Sequence, residues 1–221
     1  MPYFRNIPFQ GSTIDILFIH IPKTGGTSIE NYFYSKYGIQ RGYYSLYGIK
    51  KEYSVSLQHM TYKQIKENIE AGRDKVFKNI DLNSPKLKII TIIRNPYHRV
   101  LSELFSKRRL VLPTTPDIVE KAVHDFLSSS STEIKDDNHR LPQVDFFIDA
   151  IPDIQLTGDE SRLIILQTEN LTEQMRDLGF TDFSNKNNVS FGGGGGDGVK
   201  SYDDLLTDRA RQEIREYYKI V

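Results

Sequence analysis

Ile14-Asp15-Ile16-Leu17-Phe18-Ile19-His20-Ile21-Pro22-Lys23-Thr24-Gly25-Gly26-Thr27-Ser28-Ile29-Glu30-Asn31-Tyr32-Phe33-Tyr34 is the stretch on which the fold turns. Its first third is a short, mostly apolar run that ends at Pro and Gly, the pattern of a buried strand. Ser28 to Tyr34 reads as a helix, and strand, glycine loop and helix in that order open an α/β unit. Adjacent glycines let backbone N–H groups turn inward and approach an anion closely. The following helix offers free N–H groups and the positive end of its dipole. Thr24, Thr27 and Ser28 add hydroxyls and Lys23 a point charge, so a phosphate is a natural guest. The loop differs from the common nucleoside-triphosphate loop, in which Lys follows the last glycine and precedes Ser or Thr. Here Lys23 stands before the glycines, nothing basic follows Gly26, and no acidic strand end offers a magnesium ligand.

Outward from this stretch, Leu87 to Ile93 is a second buried strand, broken by Arg94-Asn95-Pro96 and followed by helical periodicity from Tyr97 to Arg109. Two strand-to-helix turns of this kind sit side by side at the carboxyl edge of a parallel sheet. Further helices are expected over Thr61 to Ala71, with Thr61 as N-cap and Gly72 as stop, and over Asp117 to Ser129, Thr172 to Leu178 and Asp203 to Tyr218. Val144 to Ile148 and Leu163 to Gln167 read as strands. Gly192 to Gly196, five glycines in a row, begin a flexible loop or lid. The expected fold is a three-layer α/β domain over residues 1–221, a central parallel sheet with flanking helices and a P-loop-like nucleotide site.

Composition sets limits. The 221 residues suffice for one domain with a real core. Lys plus Arg equals Asp plus Glu at 29 each, so bulk charge gives no reason to expect a nucleic-acid partner. The absence of cysteine excludes disulfides and thiolate metal sites, and no cluster with metal-ligand spacing is visible along the chain. No stretch is long and apolar enough to span a bilayer, and Met1 to Asn6 lack a signal peptide's order, so the expectation is a cytoplasmic protein. Tyr217 to Val221 still carry a helical pattern, which suggests that native residues follow.

Pro22-Lys23-Thr24-Gly25-Gly26-Thr27-Ser28 after a strand resembles the 5′-phosphosulfate loop of sulfotransferases that use 3′-phosphoadenosine 5′-phosphosulfate (PAPS), most closely the carbohydrate enzymes of heparan sulfate 2-O- and 6-O- and chondroitin type. Arg94-Asn95-Pro96-Tyr97-His98-Arg99-Val100-Leu101-Ser102 resembles that family's 3′-phosphate motif, in which Arg94 and Ser102 would hold the 3′-phosphate. His59, in Ser56-Leu57-Gln58-His59-Met60-Thr61, resembles the catalytic base. Asn138-His139-Arg140-Leu141-Pro142-Gln143 resembles a His-x-x-Pro-Gln segment, which implies acceptor contacts for His139 and Gln143. For His139 a loop that merely orders a sheet edge fits equally. Leu166 to Leu171 resembles a Glu-Asn-Leu turn and reads as scaffold. Lys200 would close over the 3′-phosphate, although the five glycines before it depart from the family's pattern. The resemblance spans roughly residues 14–219.

It implies in-line transfer of a sulfuryl group from PAPS to an acceptor hydroxyl, without a metal. His59 takes the proton, and Lys23 with the loop amides stabilises the leaving phosphate. Seven tyrosines between Tyr32 and Tyr53, with Lys50-Lys51 and Lys107-Arg108-Arg109, suit an acidic glycan acceptor or, equally, a packed irregular segment with solvated charges. Two other readings remain open. One is a nucleotide or nucleoside kinase with an aberrant loop; the other is a non-catalytic protein that binds PAPS or its product 3′-phosphoadenosine 5′-phosphate (PAP).

Overall fold

In a computed structural model, residues 2–37, 55–73, 77–129, 137–185 and 201–220 are described. The chain divides into two compact units, Met1–Ile93 with Asp137–Asn187, and Arg94–Asp136 with Asn188–Val221.

The first unit is built on a four-stranded mixed sheet with strand order β1-β2-β3-β4. Its strands are β1 (Tyr3–Phe9), β2 (Ser12–Ile19), β3 (Leu87–Ile93) and β4 (Leu163–Gln167). β2, β3 and β4 run parallel, with Ile19 opposite Thr91 and Ile93 opposite Gln167. β1 is the unforeseen member, an antiparallel edge strand that places Tyr3 opposite Leu17. It reaches β2 through a two-residue turn, Gln10-Gly11, with φ of 46° and 80°. Such a turn needs left-handed backbone at both positions. Pro8 is tolerated there because an edge strand has one side without a ladder partner.

Both faces of the sheet are covered, which is why β2 and β3 read as continuous apolar runs rather than alternating ones. Leu17, Ile19, Leu87 and Ile89 form one core with Tyr62 and Ile65 of α2 (Tyr62–Glu70) and Ala150 and Ile154 of α5 (Ala150–Thr157). Ile16, Phe18, Ile90 and Ile92 form the other with Ile29 and Phe33 of α1 (Gly26–Tyr37) and Leu171 and Met175 of α6 (Leu171–Asp177). Thr61 caps α2 in a complete capping box with Gln64, and Gly72 follows with a φ of 62°, as the sequence predicts.

The segment Val144–Ile148 is not a strand. Gln143–Phe146 is a 3₁₀ turn, and the amides of Asp145, Phe147 and Ile148 are spent locally on the carbonyls of Pro142 and Val144. Phe146 and Phe147 are buried while Val144 and Ile148 are exposed, so the apolar run does not alternate. Helix α5 was not read in the sequence. Pro152 lies in its first turn, where its missing N–H costs nothing, and Gly158 ends it with a φ of 68°.

The second unit is helical: α3 (Pro96–Ser106), α4 (Pro116–Ser128) and α7 (Asp208–Tyr218) pack around Val100, Leu101, Leu104, Val119, Val123, Leu205 and Ile214. The C-terminal pattern read as one helix is a short 3₁₀ turn, Asp203–Leu205, and then α7, whose N-cap Thr207 accepts from the Ala210 amide. Among the described residues no helix is long and apolar enough to cross a membrane.

Candidate active site

The glycine loop joins β2 to α1, so its residues emerge from the carboxyl end of a central parallel strand, where open α/β sheets bind ligands. Lys23 and Gly25 both have left-handed backbone, with φ of 68° and 91°. The buried Thr24 hydroxyl donates to the Ile21 carbonyl at 2.9 Å, which pins the turn. The Thr168 hydroxyl, just past β4, lies 2.6 Å from the Thr24 carbonyl oxygen and 3.0 Å from that of Ile93. The ends of all three parallel strands are thereby tied together. The Ser28 hydroxyl donates to Asn185 Oδ1 at 2.8 Å. Gly26 has a packing reason to be glycine, since a Cβ there would lie 2.6 Å from two atoms of the His20 ring.

His59 closes the 3₁₀ turn Leu57–His59, and its Nδ1 lies 2.6 Å from Asp137 Oδ2. Asp137 is itself held by the Ser56 amide at 2.5 Å and the Ser56 hydroxyl at 2.8 Å. The Asn138 side chain donates to the His59 carbonyl at 2.8 Å and so closes the clasp from the other side. Asp137 and Asn138 both sit at positive φ, 52° and 65°. Asp and Asn adopt this conformation more readily than other non-glycine residues.

The charges follow from burial and pairing. Burial pushes the His59 imidazole down, Asp137 pushes it back up, and His20 and His139 push it down again, to about 4. Burial would raise the Asp137 carboxyl, but the hydrogen bond and charge of His59 and two bonds from Ser56 outweigh it and hold it at about 2. At neutral pH His59 is therefore an uncharged imidazole facing a carboxylate. The carboxylate can only accept, so Nδ1 carries the proton and Nε2 presents its lone pair. This is the tautomer required of a general base.

A second histidine–carboxylate pair lies beside the first. His20 Nδ1 is 2.5 Å from Glu30 Oε1, with both side chains buried. Gln58, the neighbour of His59, donates to the same carboxylate oxygen at 3.3 Å. Burial pushes the Glu30 carboxyl up, and the hydrogen bond and charge of His20 pull it down further, leaving it below its ordinary value. Glu30 thus ties the turn that carries His59 to helix α1 of the glycine loop. The His20 and His59 rings meet edge to face at 5.3 Å, and His59 and His139 do so at 4.9 Å. His59, Asp137 and His139 offer ligand atoms within 4.8 Å of one another, a set that could receive a cation. Chain spacing hides this cluster, which folding assembles.

In the first unit the fold brings His59 and His139 together, and it places Gln143 at the start of the 3₁₀ turn after His139. Arg94 and Ser102 lie in the second unit. Arg94 precedes Asn95, whose side chain caps α3 by accepting from the Tyr97 amide at 3.0 Å, and Ser102 is a buried residue of that helix. Lys200, the glycine run, Lys50, Lys51 and the tyrosines at 43, 44, 47 and 53 lie outside the described residues. Sequence reasoning missed Asp137 and Gln58 and gave Glu30 no positioning role. The available signal for Asp137 was its place two residues before His139.

The sequence over residues 10–146, more than half of the chain, matches the profile of the sulfotransferase family. No curated protein and no solved structure was found to match the chain.

Proposed function

The chain belongs to the sulfotransferase family, and from that premise we propose that it transfers a sulfuryl group from PAPS to a hydroxyl of a carbohydrate acceptor, with His59 as base. The single observation that carries this reading is the His59–Asp137 pair at 2.6 Å, fixed to the helix of the glycine loop through Gln58 and Glu30.

The loop fits the 5′ end of such a donor, because it combines the Lys23 amine, the exposed Thr27 hydroxyl, a tight glycine turn and a helix N-terminus, while the Thr24 and Ser28 hydroxyls donate within the protein. Lys23 to Ser28 would hold that end, while Arg94, Ser102 and Lys200 would hold the 3′-phosphate. PAPS supplies an activated sulfuryl group. His59 Nε2 accepts the acceptor hydroxyl's proton as the new O–S bond forms. The S–O bond to the 5′-phosphate breaks, and its electron pair stays on the phosphate. Asp137 stabilises the imidazolium that results. Lys23 neutralises charge on the departing phosphate. His139 and Gln143 would orient the acceptor. A hydrogen-bonded proton between His59 and Asp137 is what their separation suits, which favours proton transfer over a metal at this set.

Calorimetry with PAP and with ATP plus magnesium tests the donor. Binding of PAP alone supports the proposal, whereas magnesium-dependent binding of ATP with no response to PAP would replace it with a kinase.

A further inference from the structure

The aromatic ring of Tyr202 faces Arg94. The guanidinium carbon lies 5.5 Å from the ring centroid, within the range of a cation–π contact. Tyr202 is not a loose surface side chain, since it is 8% exposed. The same ring meets His98 at 5.6 Å and Phe105 at 6.1 Å, both on α3. The backbone around it is fastened as well. Asp203 accepts from Arg211 at 3.0 Å and pairs with His98 Nε2 at 3.2 Å. The Ser201 amide donates to Asp204 at 2.9 Å, and Leu205 is buried in the core of the second unit.

We propose that Tyr202 is a positioning residue for nucleotide selection: its ring orients the Arg94 guanidinium for a 3′-phosphate and so favours nucleotides that carry one. The proposal rests on the reading of Arg94 and Ser102 as the 3′-phosphate site. A guanidinium held over an aromatic ring by cation–π attraction is restricted in where its N–H groups can point. A long side chain that is oriented beforehand also loses less freedom on binding. The aromatic wall comes from a segment far along the chain, which only folding brings to Arg94.

The test is calorimetry on the full chain with PAP and with adenosine 5′-phosphate, which lacks only the 3′-phosphate. Wild type should prefer PAP, and Tyr202→Phe should keep that preference because it keeps the ring. Tyr202→Ala should lose about threefold to tenfold in PAP affinity, the range of an exposed to partly buried cation–π contact, while its affinity for adenosine 5′-phosphate stays unchanged. Should the alanine variant fail to fold, Tyr202→Leu keeps the apolar volume, removes the ring and is expected to behave the same way. A variant without the ring that prefers PAP as strongly as wild type, or that weakens for both nucleotides equally, overturns the proposal and leaves the 3′-phosphate reading standing. Wild type that binds both nucleotides equally overturns that reading, and the proposal with it.

Discussion

Asp137→Asn changes one atom's chemistry and leaves the side chain's shape intact. In the native chain Asp137 Oδ1 accepts from the Ser56 amide, while Oδ2 faces His59 Nδ1 and the Ser56 hydroxyl. An asparagine keeps its oxygen where the backbone amide donates, so its NH2 group is turned toward His59. The His59 Nδ1 must then accept, the ring proton moves to Nε2, and the base lone pair is withdrawn from the acceptor side. Charge stabilisation of the imidazolium is lost at the same time. General-base assistance is worth about 10²–10⁴ in rate, or roughly 2.7–5.5 kcal/mol of barrier. The expected outcome in a labelled-PAPS transfer assay is a kcat lower by about that factor. Affinity for PAP should stay within about twofold, since Asp137 makes no contact expected of the donor site; twofold is about 0.4 kcal/mol, below the value of one hydrogen bond. A kcat within about threefold of wild type, far short of what a displaced base costs, would refute both the assignment of Asp137 and the tautomer deduced for His59.

Lys23→Ala should reduce kcat by about 10²–10³-fold, the effect of removing one donor to developing charge, with the melting temperature preserved; an unchanged rate removes Lys23 from the reaction. Gly26→Ala drives a methyl group into the His20 ring, which is buried and paired with Glu30, and should cost about 1–3 kcal/mol in urea unfolding, as overpacking does. Stability without loss would mean that the ring moves freely. The His59 imidazole, held at about 4 against about 6.5 when unfolded, makes the unfolded chain bind more protons in between. Stability should therefore be fully present above about pH 6.5 and fall as pH drops toward 4, by on the order of 3 kcal/mol. His59→Gln should flatten that slope in chemical denaturation measured at a series of pH values, and an unchanged slope would assign it to another group.

What the sequence shows and what it hides follow from distance along the chain. The glycine loop and the Arg94 turn are local devices whose parts lie within ten residues, so pattern alone reveals them. β2 and β3 announce themselves because burial on both faces fills residues 16–19 and 89–93, Thr91 excepted, with apolar side chains. Val144–Ile148 misleads because a short apolar run is the same signal for a strand and for a turn anchored by two phenylalanines. β1 is hidden by Pro8 and by a Gln10-Gly11 turn that lacks the usual Asn or Asp. Asp137 is 78 positions from His59, and only its place two residues before His139 sets it apart from Asp136 beside it. Glu30 reads as an ordinary polar residue of α1 until the fold buries it against His20.

Transfer of a sulfuryl group by way of His59 is tested most directly by incubating wild type and His59→Ala with sulfur-labelled PAPS and a panel of oligosaccharide acceptors. Label on a carbohydrate hydroxyl is expected with wild type and none with His59→Ala, while both proteins bind PAP. Equal labelling by the two proteins would contradict the assignment of the base, and PAP binding without transfer to any acceptor would contradict the enzymatic reading itself.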